Sequence, residues 1–296
     1  MKRVLLGSLL VLLGTMFFCS SFIAVESPVM IAREGLVMRG ILTMPEGLEG
    51  RAPAMVIFHG FTGQKNEMDI VGVDEALFER TARIFAENGI ASLRIDFIGS
   101  GESEGKWEDT TFSGQINDAI AAIDYLSSLS KINPSRIGVI GLSQGGLVAA
   151  CAAARDMRVK TAILWSPVAV PGFTYTVLLG KDTVLKALNA DFDEPVEATL
   201  PWGATTSLKK PFFRELFRVD PIAEIAGYHG PLMVVVGMKD DVVFPQPRSG
   251  AMFMDYHSGL EKLVVLNTDH MLGIFGGPGD LDEAISEALN WLNWTL

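Results

Sequence analysis

Ile137-Gly-Val-Ile-Gly-Leu-Ser-Gln-Gly-Gly-Leu-Val-Ala-Ala-Cys151 decides the fold. Its first six residues have the make-up of a short strand buried on both faces. The Ala-rich run that follows, to about Ala154, reads as a helix. Between the two lies Gly141-Leu-Ser143-Gln-Gly145, a G-x-S-x-G motif. A glycine-rich tight turn could give the same letters. The strand before it and the helix after it are the context that marks a nucleophile elbow. The turn is sharp, so side chains at the two glycine positions would collide. Ser143 then sits exposed at the strand's C-terminal end, where the helix dipole favours developing negative charge.

Outward from this unit, strands and helices alternate. Residues 29–33 and 36–43 predict a hairpin around Glu34-Gly35. Short apolar strands are expected at 54–58, 90–95, 161–165, 232–236 and 263–266, with helices over 74–88, around 116–126 and over 281–292. This pattern means an α/β fold: a mainly parallel sheet covered by helices on both faces. Residues 166–228 break the rhythm and hold Phe173, Tyr175, Phe192, Trp202, Phe212, Phe213 and Phe217. So long a loop in a compact domain is usually functional, and it is expected to be a cap insertion over the sheet's edge. Any one of its aromatics is more simply a packing residue.

A serine hydroxyl needs a base. In hydrolases of this topology the order is serine, acid, histidine. His59 precedes the serine and is excluded by order; it is expected to brace its loop. His270 follows the last apolar strand in Asn267-Thr-Asp-His270 and is the preferred base. His257 and His229 read as surface or capping residues. The acid should follow the strand at 232–236, where Asp240 and Asp241 both qualify; the G-x-x-D spacing favours Asp240. Asp269 reads as a loop cap. The oxyanion needs two backbone N–H donors. Gln144 and, in the turn His59-Gly-Phe61-Thr-Gly63, Phe61 are the candidates.

The chain has 296 residues, 24 Lys plus Arg against 35 Asp plus Glu, and a formal charge of −11. That argues against a nucleic-acid partner. Met1-Lys-Arg3, the apolar run Val4 to Phe18 and Cys19-Ser20-Ser21 have the layout of a secretory signal. Residues 1–25 are therefore expected to be a signal peptide, cut after Ser21, or an uncleaved membrane anchor through residues 4–25. A lipoprotein reading through Cys19 is weaker, because bulky Phe18 precedes it. Either reading makes the protein exported, with residues 26–296 as the hydrolase domain. Without 1–25, 22 basic residues face 35 acidic ones, a charge of −13. Cys151 is then the one cysteine, and an inert buried thiol is expected. No Cys/His or HExxH spacing suggests a metal, and no cofactor is called for.

His59-Gly-Phe-Thr-Gly63, Arg94-Ile-Asp-Phe-Ile-Gly-Ser-Gly-Glu-Ser-Glu-Gly105, Gly141-Leu-Ser-Gln-Gly145, Gly237-Met-Lys-Asp240 and Asp269-His270 resemble the α/β-hydrolase superfamily. The resemblance is nearest to bacterial cinnamoyl (feruloyl) esterases and spans roughly 29–293. It implies Ser143, Asp240 and His270 as a triad, Phe61 and Gln144 as oxyanion donors, and a structural loop at 96–105. It also implies an insertion that shapes the substrate pocket. Leu142 departs from the family, where many members have His before the serine. The expected activity is hydrolysis of hydroxycinnamoyl or short-chain acyl esters. A monoacylglycerol lipase or a peptidase is the alternative, and a non-enzymatic binding protein the third. The prolyl-oligopeptidase type is disfavoured, because no extra propeller-sized domain fits in this length.

Overall fold

The computed structural model describes residues 22–296. The signal or anchor expected over 1–25, Cys19 included, lies outside the described residues except at 22–25. Strand β1 (Ile23–Arg33) pairs antiparallel with β2 (Leu36–Glu46) around Glu34-Gly35. The hairpin is thus longer than the expected 29–33 and 36–43. The reason lies in burial. β1 is at the sheet edge, and its first buried residue is Val29. Ahead of it, Ile23-Ala-Val25 run on from the apolar stretch read above as a leader, and Glu26, Ser27 and Pro28 are exposed, so nothing there signals a strand.

The chain continues through β3 (Ala52–Phe58), α1 (Leu77–Glu87), β4 (Ala91–Ile95), α2 (Phe112–Ser128), β5 (Ile132–Leu142), α3 (Gln144–Arg155) and β6 (Val159–Trp165). α1 starts three residues later than expected. The Glu75 carbonyl is taken by the Ile70 N–H in the turn before it, and the Ala76 N–H by Glu79 Oε2. Next come α4 (Pro171–Leu179), α5 (Lys181–Asn189), the hairpin β7 (Val196–Thr199) and β8 (Thr205–Leu208), α6 (Lys210–Glu215) and α7 (Pro221–Ile225). β9 (Leu232–Gly237), α8 (Arg248–Tyr256), β10 (Glu261–Leu266) and α9 (Gly279–Thr295) close the fold. The segment expected to lack alternation therefore has short helices and a small separate hairpin.

The main sheet has eight strands in the order β1-β2-β4-β3-β5-β6-β9-β10. β1–β2 and β2–β4 are antiparallel, and every other neighbouring pair is parallel. Alternate side chains enter two cores. Ala54, Val56 and Phe58 of β3 pack with α2 and α3, while Met55 and Ile57 pack with α1 and α9. β9 divides likewise, Val234 and Val236 to one face, Met233 and Val235 to the other. Both faces are dry, so both sets must be apolar; that is why these strands read as unbroken apolar runs. This is the α/β-hydrolase fold. The parallel strands all end on one side, and their C-terminal loops assemble the site. Cys151 is buried in α3, and burial pushes its thiol well above the usual range, as for an inert core group.

Candidate active site

Ser143 joins β5 to α3 with φ +57°. This left-handed conformation is uncommon for a non-glycine residue and clusters at functional sites. Its backbone is locked. The Ser143 N–H donates to Trp165 O at 2.8 Å, and its carbonyl accepts from Gly146 at 3.0 Å and Val168 at 3.1 Å. The flanking glycines are required by space. A Cβ on Gly141 would strike the Gly145 carbonyl oxygen, and one on Gly145 would strike Phe58 O. Both obstacles are backbone and cannot swing aside. Gly145→Ala is accordingly expected to displace the elbow. A displacement of about 1 Å costs about 10²-fold in kcat/KM. Kinetics with a thermal melt checks this; wild-type turnover would contradict it.

Asp240 and His270 come together at the ends of β9 and β10. His270 Nδ1 lies 2.8 Å from Asp240 Oδ2. Asp240 is buried, and its other oxygen accepts from the Val242 and Val243 N–H groups at 2.9 and 2.8 Å. The carboxylate is thus fixed on both sides. Gly237 makes the approach possible, since a Cβ there would strike Thr268 O. Ser143 and His270 line one cavity of about 810 Å³.

The other candidates fall elsewhere. Asp241 lines the cavity rim, without the bond to His270 that Asp240 makes. Asp269 Oδ1 accepts from the Met271 and Gly273 N–H groups at 2.9 and 3.0 Å, which makes it a loop cap. His257 follows α8, is buried, and contacts Glu261 Oε2 at 3.2 Å and Gly230 O at 2.9 Å. His229 is exposed and contacts Ser258 Oγ at 2.9 Å. His59 is fully buried, with Nδ1 at 2.9 Å from Gly60 O and Nε2 accepting from the Phe97 N–H at 3.3 Å. Burial lowers it to about 4, so the ring is neutral and ties the loop after β3 to the loop after β4.

Among the described residues, neither the Phe61 nor the Gln144 N–H has an acceptor. Gln144 opens α3, and its side chain is held from two directions. Tyr175 of α4 donates to its Oε1, and its own Nε2 donates to Gln115 Oε1 at 2.6 Å. Phe61 packs on Tyr175, Trp107 and Phe212 with ring centroids 5.2, 5.3 and 5.8 Å apart. Phe212 and Phe213 of the 166–228 segment are therefore core, Tyr175 is buried but also reaches the cavity, and Trp202, Thr174 and Leu178 line it. Phe173, Phe192 and Phe217 are exposed. The loop at 96–105 is pinned by Asp96, which accepts from Lys65 N–H, Lys65 Nζ and Glu102 N–H at 2.6, 2.9 and 2.9 Å. Its Gly101 reaches the cavity wall.

One cavity residue carries no motif. Glu67 is buried, and its Oε1 accepts from the Gly60 N–H. Burial raises it to about 7, opposed by that bond and by His270. It stands in the polar run Gln64-Lys-Asn-Glu67, where nothing in the sequence signals burial. Among the described residues, no group of three or more His, Cys, Asp or Glu is placed to hold a metal ion.

The sheet and the elbow give the chain the α/β-hydrolase fold. The prolyl oligopeptidase family model matches residues 76–294, most of the chain, and the chain belongs to that family. This corrects the expectation from length, which set that type aside for want of a propeller; the match covers residues 76–294 of the α/β fold itself. Among solved structures, Est1E of Butyrivibrio proteoclasticus with ferulic acid bound is 26% identical. It covers 90% of this chain and 98% of its own, with a TM-score of 0.72. The Bacillus subtilis protein YtaP is 34% identical over 134 residues, 40% of this chain and 44% of its own. The thiohydrolase aneE of Aspergillus aculeatus is 29% identical over 177 residues, 57% of this chain and 52% of its own. The chain thus spans about half the length, or less, of the curated relatives it matches.

Proposed function

We propose that the chain is a serine carboxylic-ester hydrolase acting on hydroxycinnamoyl or short-chain acyl esters. One observation carries the reading: His270, held by Asp240, opens on the same cavity as Ser143 at its elbow. Ser143 Oγ attacks the ester carbonyl carbon and passes its proton to His270 Nε2. Asp240 holds Nδ1–H and stabilises the imidazolium. The Phe61 and Gln144 N–H groups take the oxyanion. Collapse breaks the C–O bond, and His270 returns the proton to the departing alcohol. Water, activated by the same ring, then releases the acid from the acyl-enzyme and restores Ser143.

The cavity supports an aromatic acyl group. Phe61, Tyr175, Trp202 and Phe275 line it, as do Val168 and Leu178. Est1E, similar over nearly its full length, binds ferulic acid. Aromatic walls hold a flat ring by offset or edge contacts worth about 0.5–1.5 kcal/mol beyond burial. A peptidase is the second reading, favoured by the family match.

The test is turnover across methyl ferulate, p-nitrophenyl esters of short to long acids, a monoacylglycerol and a prolyl peptide anilide. Ferulate or short esters are expected to lead. Preference for long chains would move the protein to the lipases, and preference for the anilide to the peptidases. The proposal includes export through residues 1–25. N-terminal sequencing of the protein recovered outside the cytoplasm tests it, and recovery from the cytoplasm alone would contradict it.

A further inference from the structure

Glu67 sits beside the candidate oxyanion site with its carboxyl group out of water. Among the described residues, no lysine or arginine pairs with it. Its Oε1 takes the Gly60 N–H, the amide next to Phe61. A Cβ on Gly60 would lie 3.3 Å from that oxygen and 3.5 Å from Ser143 Cβ, so carboxyl and nucleophile flank one glycine. A Cβ on Gly63 would lie 2.5 Å from Oε1 and 2.7 Å from Oε2. A side chain on Gly63 would push the carboxyl group out of this position. The turn that brings it there holds Thr62 and Glu67 themselves at φ +59°. A buried acid in a strained turn with no cation costs stability, and such groups concentrate at working sites.

We propose that Glu67 is a positioning residue of the oxyanion site: its carboxyl group holds the Gly60 amide and so aims the Phe61 N–H at the forming oxyanion. This rests on the ester-hydrolase reading above. Burial, which raises the group to about 7, supplies the uncharged form near neutrality. Other charges around it do not take over this role. His270 lies across the cavity and is paired to Asp240. Asp241 and Asp269 line the same cavity. Lys65, on the same loop, is paired to Asp96 and Glu102, and His59 beneath the loop is neutral. Above about 7 the acid ionises. A carboxylate there would favour the His270 imidazolium but oppose the oxyanion. The second effect wins, because the imidazolium already has Asp240 at 2.8 Å. Rising pH therefore removes activity.

The test compares wild type, Glu67→Gln and Glu67→Ala on p-nitrophenyl acetate from pH 5.5 to 9, with background hydrolysis subtracted. For wild type, kcat/KM is expected to fall about tenfold on the alkaline side of pH 7, the size of one added like charge at close range. Glu67→Gln still accepts from Gly60 and cannot ionise. It should keep wild-type turnover at pH 6.5 within about threefold and lose the alkaline fall. Glu67→Ala should lower kcat by about 30-fold at every pH with KM little changed, as for a loosened oxyanion donor. A purely structural Glu67 would lower the melting temperature in both variants and leave the pH profile in place. That profile in Glu67→Gln, or wild-type kcat in a folded Glu67→Ala, overturns the inference. Should Glu67→Ala not fold, the Glu67→Gln profile decides alone. Failure of wild type itself to turn over the ester or to take a fluorophosphonate on Ser143 would sink the parent reading first, and this one with it.

Discussion

Replacing Ser143 by alanine is expected to lower kcat by about 10⁴-fold or more while the chain stays folded. The two halves of that statement have separate physical grounds. What holds the residue in place is its backbone: the N–H on Trp165 O, and the carbonyl shared by Gly146 and Val168. Removing Oγ touches none of these bonds. The φ of +57° is as costly for alanine as for serine, so the elbow has no reason to relax. Chemistry, by contrast, loses its nucleophile. The oxyanion donors at Phe61 and Gln144 remain and leave a residual rate above that of water. Steady-state kinetics, with a melt and a circular dichroism spectrum, checks both halves. Turnover within tenfold of wild type would assign the chemistry to another group.

Asp240→Asn should cost nearly as much, about 10⁴-fold in kcat. The new side chain fills the same space. Its carbonyl oxygen would stay on the Val242 and Val243 N–H groups, because both are donors and an NH₂ there would clash electrostatically with them. The NH₂ must then face His270 Nδ1. A donor in that position requires Nδ1 to accept, which moves the ring's proton to Nε2. That nitrogen can no longer take a proton from Ser143. The imidazolium would also lose its counter-charge in a buried place, where water cannot replace it. Asp269 offers no substitute, since its Oδ1 is held by Met271 and Gly273. Kinetics alone would not separate orientation from misfolding, so the variant's melting temperature belongs in the same experiment. A loss of tenfold or less would mean that Asp240 does not orient the base.

The motif residues were legible because each reports a local constraint. Gly141 and Gly145 are needed where backbones approach at the elbow, and the apolar runs of β3, β5, β6 and β9 report burial on both faces. The pairing of His270 with Asp240, rather than Asp241 or Asp269, was suggested by spacing and order alone. Other features had no local signature. The outer half of β1 lies on an edge, and its Ile23-Ala-Val25 runs on from the apolar stretch read as a leader. β7 and β8 are four residues each and pack in a separate hairpin, too short for a period to show. Tyr175 reaches Gln144 only through the tertiary fold. Glu67 is buried only because a turn with two left-handed residues folds it under Gly60. Such positions are products of assembly, and composition along the chain does not encode them one residue at a time.

The most direct measurement is the intact mass of the wild-type chain after brief mixing with p-nitrophenyl acetate and acid quench, followed by peptide mapping. The account predicts one acetyl group on the peptide containing Ser143, and none on the Ser143→Ala chain. Release of p-nitrophenol without an adduct, or an acetyl group on any other residue, would contradict it.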